Sequence, residues 1–390
     1  MKLTNKAVQI AHEQRFGQPG RLFRAPARVN LIGEHTDYTG GLVMPMAIDF
    51  QTVAVISPRE DERLAFYSHN YDEEAIVDRK SLEHGRQGHW SDYPAGVVWS
   101  LWKEGLRFRG INMTLAGNVP LGAGLSSSAS VEVAAAMAIL SLSESSLPLS
   151  KLATLCRRAE NEFVGAKSGI MDQFVVAGAV AHRAMMLDTR SLEFDLLPLP
   201  GDIRVVIANS MVRHAVATGE YGNRRDEVEA GQAVLQQERG VTLLRDATLA
   251  DLEACRDKMS PESFARCRHI ITENARVLQA RDALLAGDML HFGALMVKAH
   301  ASMRDDFAAS CKEVDALVEI ALRQSGCIGA RITGGGFGGC AVNVVKASDA
   351  EAFVAAVRRE YAQATEIEAD CFICEPADGA LALAQKGGVA

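Results

Sequence analysis

Residues 120–130 read Pro-Leu-Gly-Ala-Gly-Leu-Ser-Ser-Ser-Ala-Ser. Upstream, Ile111, Met113 and Leu115 alternate with polar or small residues, which is the spacing of a strand. Downstream, Val131 to Leu142 is rich in Ala, Val, Met and Leu and holds no Gly or Pro, the composition of a helix. A strand therefore runs into a glycine-serine turn that opens a helix. Gly122 and Gly124 permit positive φ and close approach of backbone to a ligand. The first amides of a helix have no intrahelical partner, and the helix dipole puts partial positive charge beside them. With three consecutive hydroxyls added, this combination binds phosphate. A plain serine N-cap needs far less than two glycines and four serines within nine residues. No Gly-Lys-Ser/Thr follows, so the loop is not a Walker A motif. Ser127 stands where a dinucleotide fingerprint has its third glycine.

Outward from this turn, the pattern alternates strands and helices. Thr52 to Ser57, Ile111 to Ala116, Ala184 to Leu187 and Phe194 to Leu197 read as strands, and Lys151 to Val164 as a helix. Pro198 to Gly201 is the best linker. Beyond it, a strand over Ile203 to Ala208 precedes helices over Asp226 to Glu238, Pro261 to Ala286, Met289 to Ser302 and Lys312 to Arg323. Strands over Gly329 to Thr333 and Cys340 to Val345 flank a glycine run, and a helix (Asp349 to Ala362) and a strand (Ala369 to Cys374) follow. This pattern predicts an α+β protein of two domains, residues 1–198 and 199–390, with a ligand cleft between them.

At 390 residues the chain exceeds one ordinary core. A net charge of −8 argues against a nucleic-acid backbone or an anionic membrane as main partner. The longest apolar stretch, Val131 to Leu142, is too short to span a bilayer. Met1 to Gly17 carries Lys2, Lys6, His12, Glu13 and Arg15 without an apolar core, so no signal peptide is expected. A cytoplasmic enzyme without an obligate protein partner is the default. The eight cysteines are scattered, and Cys371-Phe-Ile-Cys374 lacks the second pair that would complete a zinc site. Buried free thiols are expected.

Three other stretches carry chemistry. Residues 28–37, Arg-Val-Asn-Leu-Ile-Gly-Glu-His-Thr-Asp, gather polar groups around a short apolar run. Hydrogen bonding to a polyol, metal ligation and a solvated loop are all open to this stretch, with ligation weakest because no helix aligns the ligands. Asp172 sits among Ile170, Met171, Phe174 and Val175, where a carboxylate is either paired or functional. Glu160 lies twelve residues upstream; one carboxylate can act as base while the other holds Mg2+, the division used in phosphoryl transfer. Residues 334–339 match G-x-G-x-x-G, but they precede a strand, so a turn that lets backbone approach a ligand or a facing loop is expected.

Arg28 to Asp37, Pro120 to Ser130 and Arg331 to Gly339 together resemble the three signature motifs of the GHMP small-molecule kinases. Within that superfamily the chain resembles the galactokinase family: Gly33-Glu-His-Thr-Asp-Tyr38, Gly169-Ile-Met-Asp-Gln173, Glu220-Tyr221 with Arg224-Arg225, and His300 to Asp306 are similar to its segments. The likeness runs from about Ala25 to Pro376. It implies a ribosomal-S5-like N-terminal domain, a ferredoxin-like C-terminal domain and an active site between them. It implies ATP and galactose as substrates and Mg2+ as cofactor. By the same resemblance Gly122, Ala123, Gly124, Leu125, Ser126, Ser127 and Ser128 would cradle ATP phosphates, and Ser128 with Glu160 would ligate Mg2+. Glu34, His35, Thr36, Asp37, Gly169 and Tyr221 would hold the sugar. Asp172 would be the base and Arg28 would stabilise the transferring phosphoryl, with residues 334–339 closing on the phosphate side. A kinase for N-acetylgalactosamine or arabinose, or a galactose sensor without turnover, are the alternatives; an intact Leu125 to Ser130 and Asp172 favour an enzyme. Two positions depart from the family: Gly219 replaces a common Ser, and Lys167 with Ser168 lies in a variable loop. Lys167 is expected either at the surface or as a cation near Asp172.

Overall fold

The computed structural model describes residues 4–120, 122–213 and 217–386. Lys2 of the charged N-terminal stretch and Leu121 of the glycine-serine turn lie outside them. In the first half, helix α1 (Asn5–Phe16) precedes strands β1 (Arg21–Asn30), β2 (Leu42–Val43), β3 (Pro45–Pro58), β4 (Arg63–Ser68) and β5 (Glu73–Asp78). Helix α2 (Asp92–Lys103), strand β6 (Ile111–Gly117) and helices α3 (Ser127–Leu142), α4 (Leu149–Arg158) and α5 (Met171–Gly178) follow, then β7 (Arg183–Asp188) and β8 (Phe194–Pro198). Five strands form one sheet in the order β1-β3-β6-β4-β5, and β2-β7-β8 form a second. Only the β4–β6 pairing in these sheets is parallel.

The second half holds β9 (Ile203–Arg213), α6 (Ala217–Arg239), α7 (Leu249–Ala254), α8 (Pro261–Ala286), α9 (Met289–Asp305), α10 (Lys312–Arg323), β10 (Cys327–Thr333), β11 (Gly338–Lys346), α11 (Ala350–Thr365) and β12 (Asp370–Cys374). Its sheet has the order β10-β11-β9-β12. Helix α8 begins where its signals lie: Ser260 accepts from the Ser263 amide, and Pro261 follows where its missing N–H costs nothing.

One apolar core joins the halves. Val29, Leu31 and Met46 pack in one cluster with Ile207, Phe292 and Val342. After β12 the chain crosses back: Asp49 N–H donates to Glu375 at 3.1 Å and Ala377 N–H to Ala47 at 3.0 Å. The last helix, α12 (Ala380–Lys386), sets Ala380 in the core of the first half.

The observed elements differ from the sequence reading in four respects. β1 was expected as loop from Arg28 onward. Its end is buried on both faces, so the alternation that marks a half-exposed strand is absent. Pro26 sits at a register shift, the place a sheet tolerates it. Helices α1, α2, α7 and α12 and strands β2, β4 and β5 had no expected counterpart. The expected helix over Lys151–Val164 ends in a widened π turn over Ala159–Val164. Asp172, expected after a helix, lies in the first turn of one, α5. The cysteines form no disulfide, and Cys371 and Cys374 are buried on β12. No helix among the described residues is long and apolar enough to cross a membrane.

Candidate active site

Strand β6 leads into the glycine-serine turn and α3 leaves it. Gly122 and Gly124 adopt φ of 66° and 73°, values that favour glycine. Ser126 occupies the N-cap position with φ 56°, yet its side chain caps nothing. Its hydroxyl instead donates to Oδ2 of Asp172. The amides of Ser127, Ser128 and Ala129 therefore meet no protein acceptor among the described residues. An open helix N-terminus of this kind attracts an anion.

Arg28 ties this turn to Asp172. Its Nε donates to Oδ1 at 2.7 Å and its Nη2 to Oδ2 at 2.6 Å. Its Nη1 donates to the Gly124 carbonyl at 2.5 Å, and its backbone N–H to that of Leu125 at 3.2 Å. This two-point geometry fixes both the position and the plane of the carboxylate. Asp172 was expected to be either paired or functional; it is paired, with a charge at the mouth of the turn.

The polar loop after β1 folds over the same point. Oε1 of Glu34 accepts from the Thr333 hydroxyl at 3.1 Å and from the Gly334 amide at 3.0 Å. Burial pushes the Glu34 carboxyl up, and Arg331 pulls against it. Asp37 faces Gly169 so closely that a Cβ on that glycine would lie 1.7 Å from Oδ2. Burial, with the charges of Asp172 and Glu34 adding, raises Asp37 to about 7. His35 stacks on Phe307 with centroids 4.2 Å apart, and burial lowers it to about 3. Its Nδ1 lies 3.2 Å from the Tyr38 hydroxyl, and its Nε2 has no partner. Tyr221, on α6, lies 5.4 Å from the His35 ring. Thr36 is fully buried, and its hydroxyl donates to the carbonyls of Gly33 and Leu42, which closes the loop.

The glycine run meets the phosphate turn. A Cβ on Gly334 would lie 3.3 Å from Cα of Gly124, so two backbones touch where side chains would hold them apart. Beside α3 a cavity of about 490 Å3 is lined by Tyr71, Trp90, Tyr93 and Leu115 and reaches Ser127 and Ser128. Its walls are broad and apolar at one end and hydroxylic at the other.

Glu160, in the π turn, accepts from Ser168 at 2.6 Å and from Gln173 at 2.8 Å, both at Oε2. The same Gln173 nitrogen donates to Glu132 at 3.0 Å. Glu132 lies one helical turn after Ser128 on α3, so Gln173 ties the helix that carries Ser128 to Glu160. No group of three or more His, Cys, Asp or Glu side chains among the described residues is arranged to hold an ion. Lys167 is exposed, and only its carbonyl is engaged, by Arg225 at 2.7 Å. Sequence reasoning missed Glu132, Gln173, Tyr38, Phe307 and the cavity aromatics. Gln173 adjoins Asp172, which was the one available signal.

A glycine-serine turn, a second glycine turn packed on it and an arginine-carboxylate pair at their junction fit a GHMP kinase. Family models agree: residues 92–179 match the GHMP kinases N terminal domain and residues 280–363 the GHMP kinases C terminal domain. The mevalonate kinase of Methanococcus jannaschii shares the fold, at a TM-score of 0.65 and 17% identity. Residues 10–58 match the galactokinase galactose-binding signature. The galactokinase of Chloroflexus aggregans is 41% identical over 95% of this chain and 96% of its own. That of Streptomyces coelicolor is 42% identical over 93% and 94%. A crystal structure of Lactococcus lactis galactokinase complexed with galactose aligns at a TM-score of 0.92 and 31% identity, covering 96% of this chain and 98% of that one. The chain belongs to the galactokinase family.

Proposed function

We infer that this enzyme transfers the γ-phosphoryl group of ATP to the C1 hydroxyl of α-D-galactose, giving galactose 1-phosphate and ADP. The observation that carries the reading is the Arg28 bridge: one guanidinium holds the carboxylate of Asp172 and the backbone of the phosphate turn. This bridge supports a sugar hydroxyl beside Asp172 facing a phosphate on the turn. Phosphoryl transfer demands positioning and charge neutralisation more than covalent chemistry.

The division of labour follows two lobes, residues 1–198 and 199–390, with the tail from Glu375 serving the first. Glu34, His35, Asp37, Gly169 and Tyr221 receive the sugar, and Thr36 shapes their loop. Gly122 to Ser128 receive the phosphates, and the aromatic cavity beside α3 receives the adenine. Asp172 orients the C1 hydroxyl and accepts its proton. Arg28 offers positive charge as the phosphoryl leaves. Ser128 and Glu160 suit Mg2+: both offer hard oxygens, and Oε1 of Glu160 accepts no hydrogen bond among the described residues. Mg2+ there would neutralise phosphate charge, with nucleotide oxygens completing its shell. The work is cytoplasmic, where ATP is supplied.

A coupled ADP-release assay across galactose, glucose, N-acetylgalactosamine and arabinose tests the reading. A site built on paired hydroxyls rejects an analogue that leaves them unpaired by up to roughly 10^4-fold. Galactose should therefore far exceed its C4 epimer glucose in kcat/KM. Equal values would leave a sugar kinase of another specificity, and no turnover of any sugar would leave a sensor.

A further inference from the structure

Arg331 has no part in the reading above, yet burying it is costly. It is 0% exposed on β10, and none of its three nitrogens has a hydrogen-bond partner among the described residues. A guanidinium carries five donor hydrogens and cannot shed its charge, so in such a place it persists only beside a counter-charge. The neighbouring carboxylate of Glu273 is already occupied. It accepts from Arg276 at 2.6 Å through one oxygen and from the Gly33 amide at 2.8 Å through the other. Glu34 remains, with Oε1 3.4 Å from Nη2 of Arg331.

That same oxygen takes the Thr333 hydroxyl and the Gly334 amide. Three positions at the end of β10 thus converge on one atom of a residue some 300 positions earlier in the chain. All of these contacts fall on Oε1, and none on Oε2.

We propose that Arg331 is a positioning residue for the sugar: by engaging Oε1 of Glu34 beside Thr333 and Gly334 it fixes that carboxylate in place and leaves Oε2 to accept a galactose hydroxyl. The inference rests on Glu34 being a sugar contact, as read above. Burial drives Glu34 toward its neutral form, and Arg331 is the strongest opposing influence, followed by Asn30, Arg28 and the Gly334 amide. Without Arg331 burial pushes that carboxyl further toward its neutral form, which is a weaker acceptor.

The other groups facing Glu34 leave this effect readable. Arg28 stays charged, and Glu273 is held at about 2 despite its burial, by Arg276 and Arg331. Burial keeps His35 and His269 neutral, at about 3 and about 4. Tyr38 and Tyr221 are raised by burial and stay protonated. Asp37 titrates near neutrality, at about 7, partly because the Glu34 charge raises it, so Glu34→Gln is the reference that shows its share.

Calorimetric titration with galactose alone, from pH 6.5 to 9, tests the proposal on wild type, Arg331→Met, Arg331→Lys, Glu34→Gln and the Met/Gln double variant. Arg331→Met should lose about 10- to 100-fold in galactose affinity at pH 7, the scale of a lost charged acceptor. The ratio to wild type should recover as pH rises and Glu34 ionises. Arg331→Lys keeps the charge and should stay within about fivefold. Glu34→Gln should bind weakly, and the double variant should follow its pH profile without the recovery. If Arg331→Met does not fold, the Lys and double variants carry the test by the same criteria. A folded Arg331→Met with wild-type affinity, or with a loss that high pH does not repair, overturns the proposal. Wild-type affinity in Glu34→Gln overturns the sugar contact itself, and the proposal with it.

Discussion

At the scale of the residue, the site is a set of charges held by neighbours distant in sequence. Asp172 has three donor atoms on its carboxylate, two from Arg28 and one from Ser126. Asp172→Asn keeps the shape but removes the base. It should lower kcat by about 10^2- to 10^4-fold while galactose still binds. Steady-state kinetics beside calorimetry checks this, and near-normal turnover would remove Asp172 from the chemistry. Gly169 is a second decisive residue. Its missing side chain is the space the Asp37 carboxylate fills, and a Cβ would sit 1.7 Å from Oδ2. Gly169→Ala should displace Asp37 and raise the galactose KM about tenfold or more, with the ATP KM little changed. Equal rises in both constants would instead indicate general damage to the fold. Lys167 carries no such weight, because its side chain is exposed and makes no ion pair among the described residues.

At the scale of the element, the N-terminus of α3 is the working part. A serine cap ordinarily contributes about 1 kcal/mol to a helix. Ser126 forgoes that bond for Asp172, and the first-turn amides stay open. Local stability is given up for an anion site. The π turn after α4 serves a matching purpose. It brings Glu160 to Gln173, which also holds Glu132 one turn below Ser128. Ser128→Ala and Glu160→Gln should each raise the Mg2+ concentration for half-maximal activity, by about tenfold, and lower kcat. Titrating Mg2+ at fixed ATP measures this. Superimposable curves for both variants and wild type would place the ion elsewhere.

At the scale of the whole molecule, three histidines are buried in their neutral form. His12 bridges Thr114 and Ser57 and is lowered by burial to about 4; His35 and His269 are lowered likewise to about 3 and about 4. The unfolded chain takes up these protons near pH 6.5, and the folded chain does so only near pH 4 or below. Stability from neutral burial is therefore complete above pH 6.5 and is lost as pH falls toward 4. Asp37 acts in the opposite sense. Raised to about 7, it binds its proton in the fold first, so its contribution grows as pH falls from 7 toward 3.8. Glu34 and Glu132 act with Asp37, because burial raises their carboxyls too. The histidine share is read on His12→Gln: its urea midpoint should fall less than that of wild type from pH 6.5 to 4.5, and each unit of pKa shift is worth about 1.4 kcal/mol. Parallel profiles over that range would mean that His12 is not buried neutral.

The amino-acid sequence by itself determined whatever depends on short-range backbone chemistry. Helix α8 starts at the Ser260 cap and stops before Gly287, and both signals act within one turn of their effect. The strand, glycine-serine turn and helix around residues 111–142 were legible for the same reason, as was the polar cluster at Arg28 to Asp37. Tertiary structure decided which of those groups meet. β1 gave no periodic signal, because its end is buried on both faces. Nothing near Ser126 in the chain shows that its hydroxyl leaves its own helix for Asp172. Nothing near Arg28 names a partner 144 residues away, nor near Glu34 an amide 300 residues away. Such pairs are set by sheet register and by a core shared between the halves, and they have no local conformational signature. Caps and turns are properties of a few adjacent residues, whereas a counter-charge in a buried site belongs to the fold that brings it there.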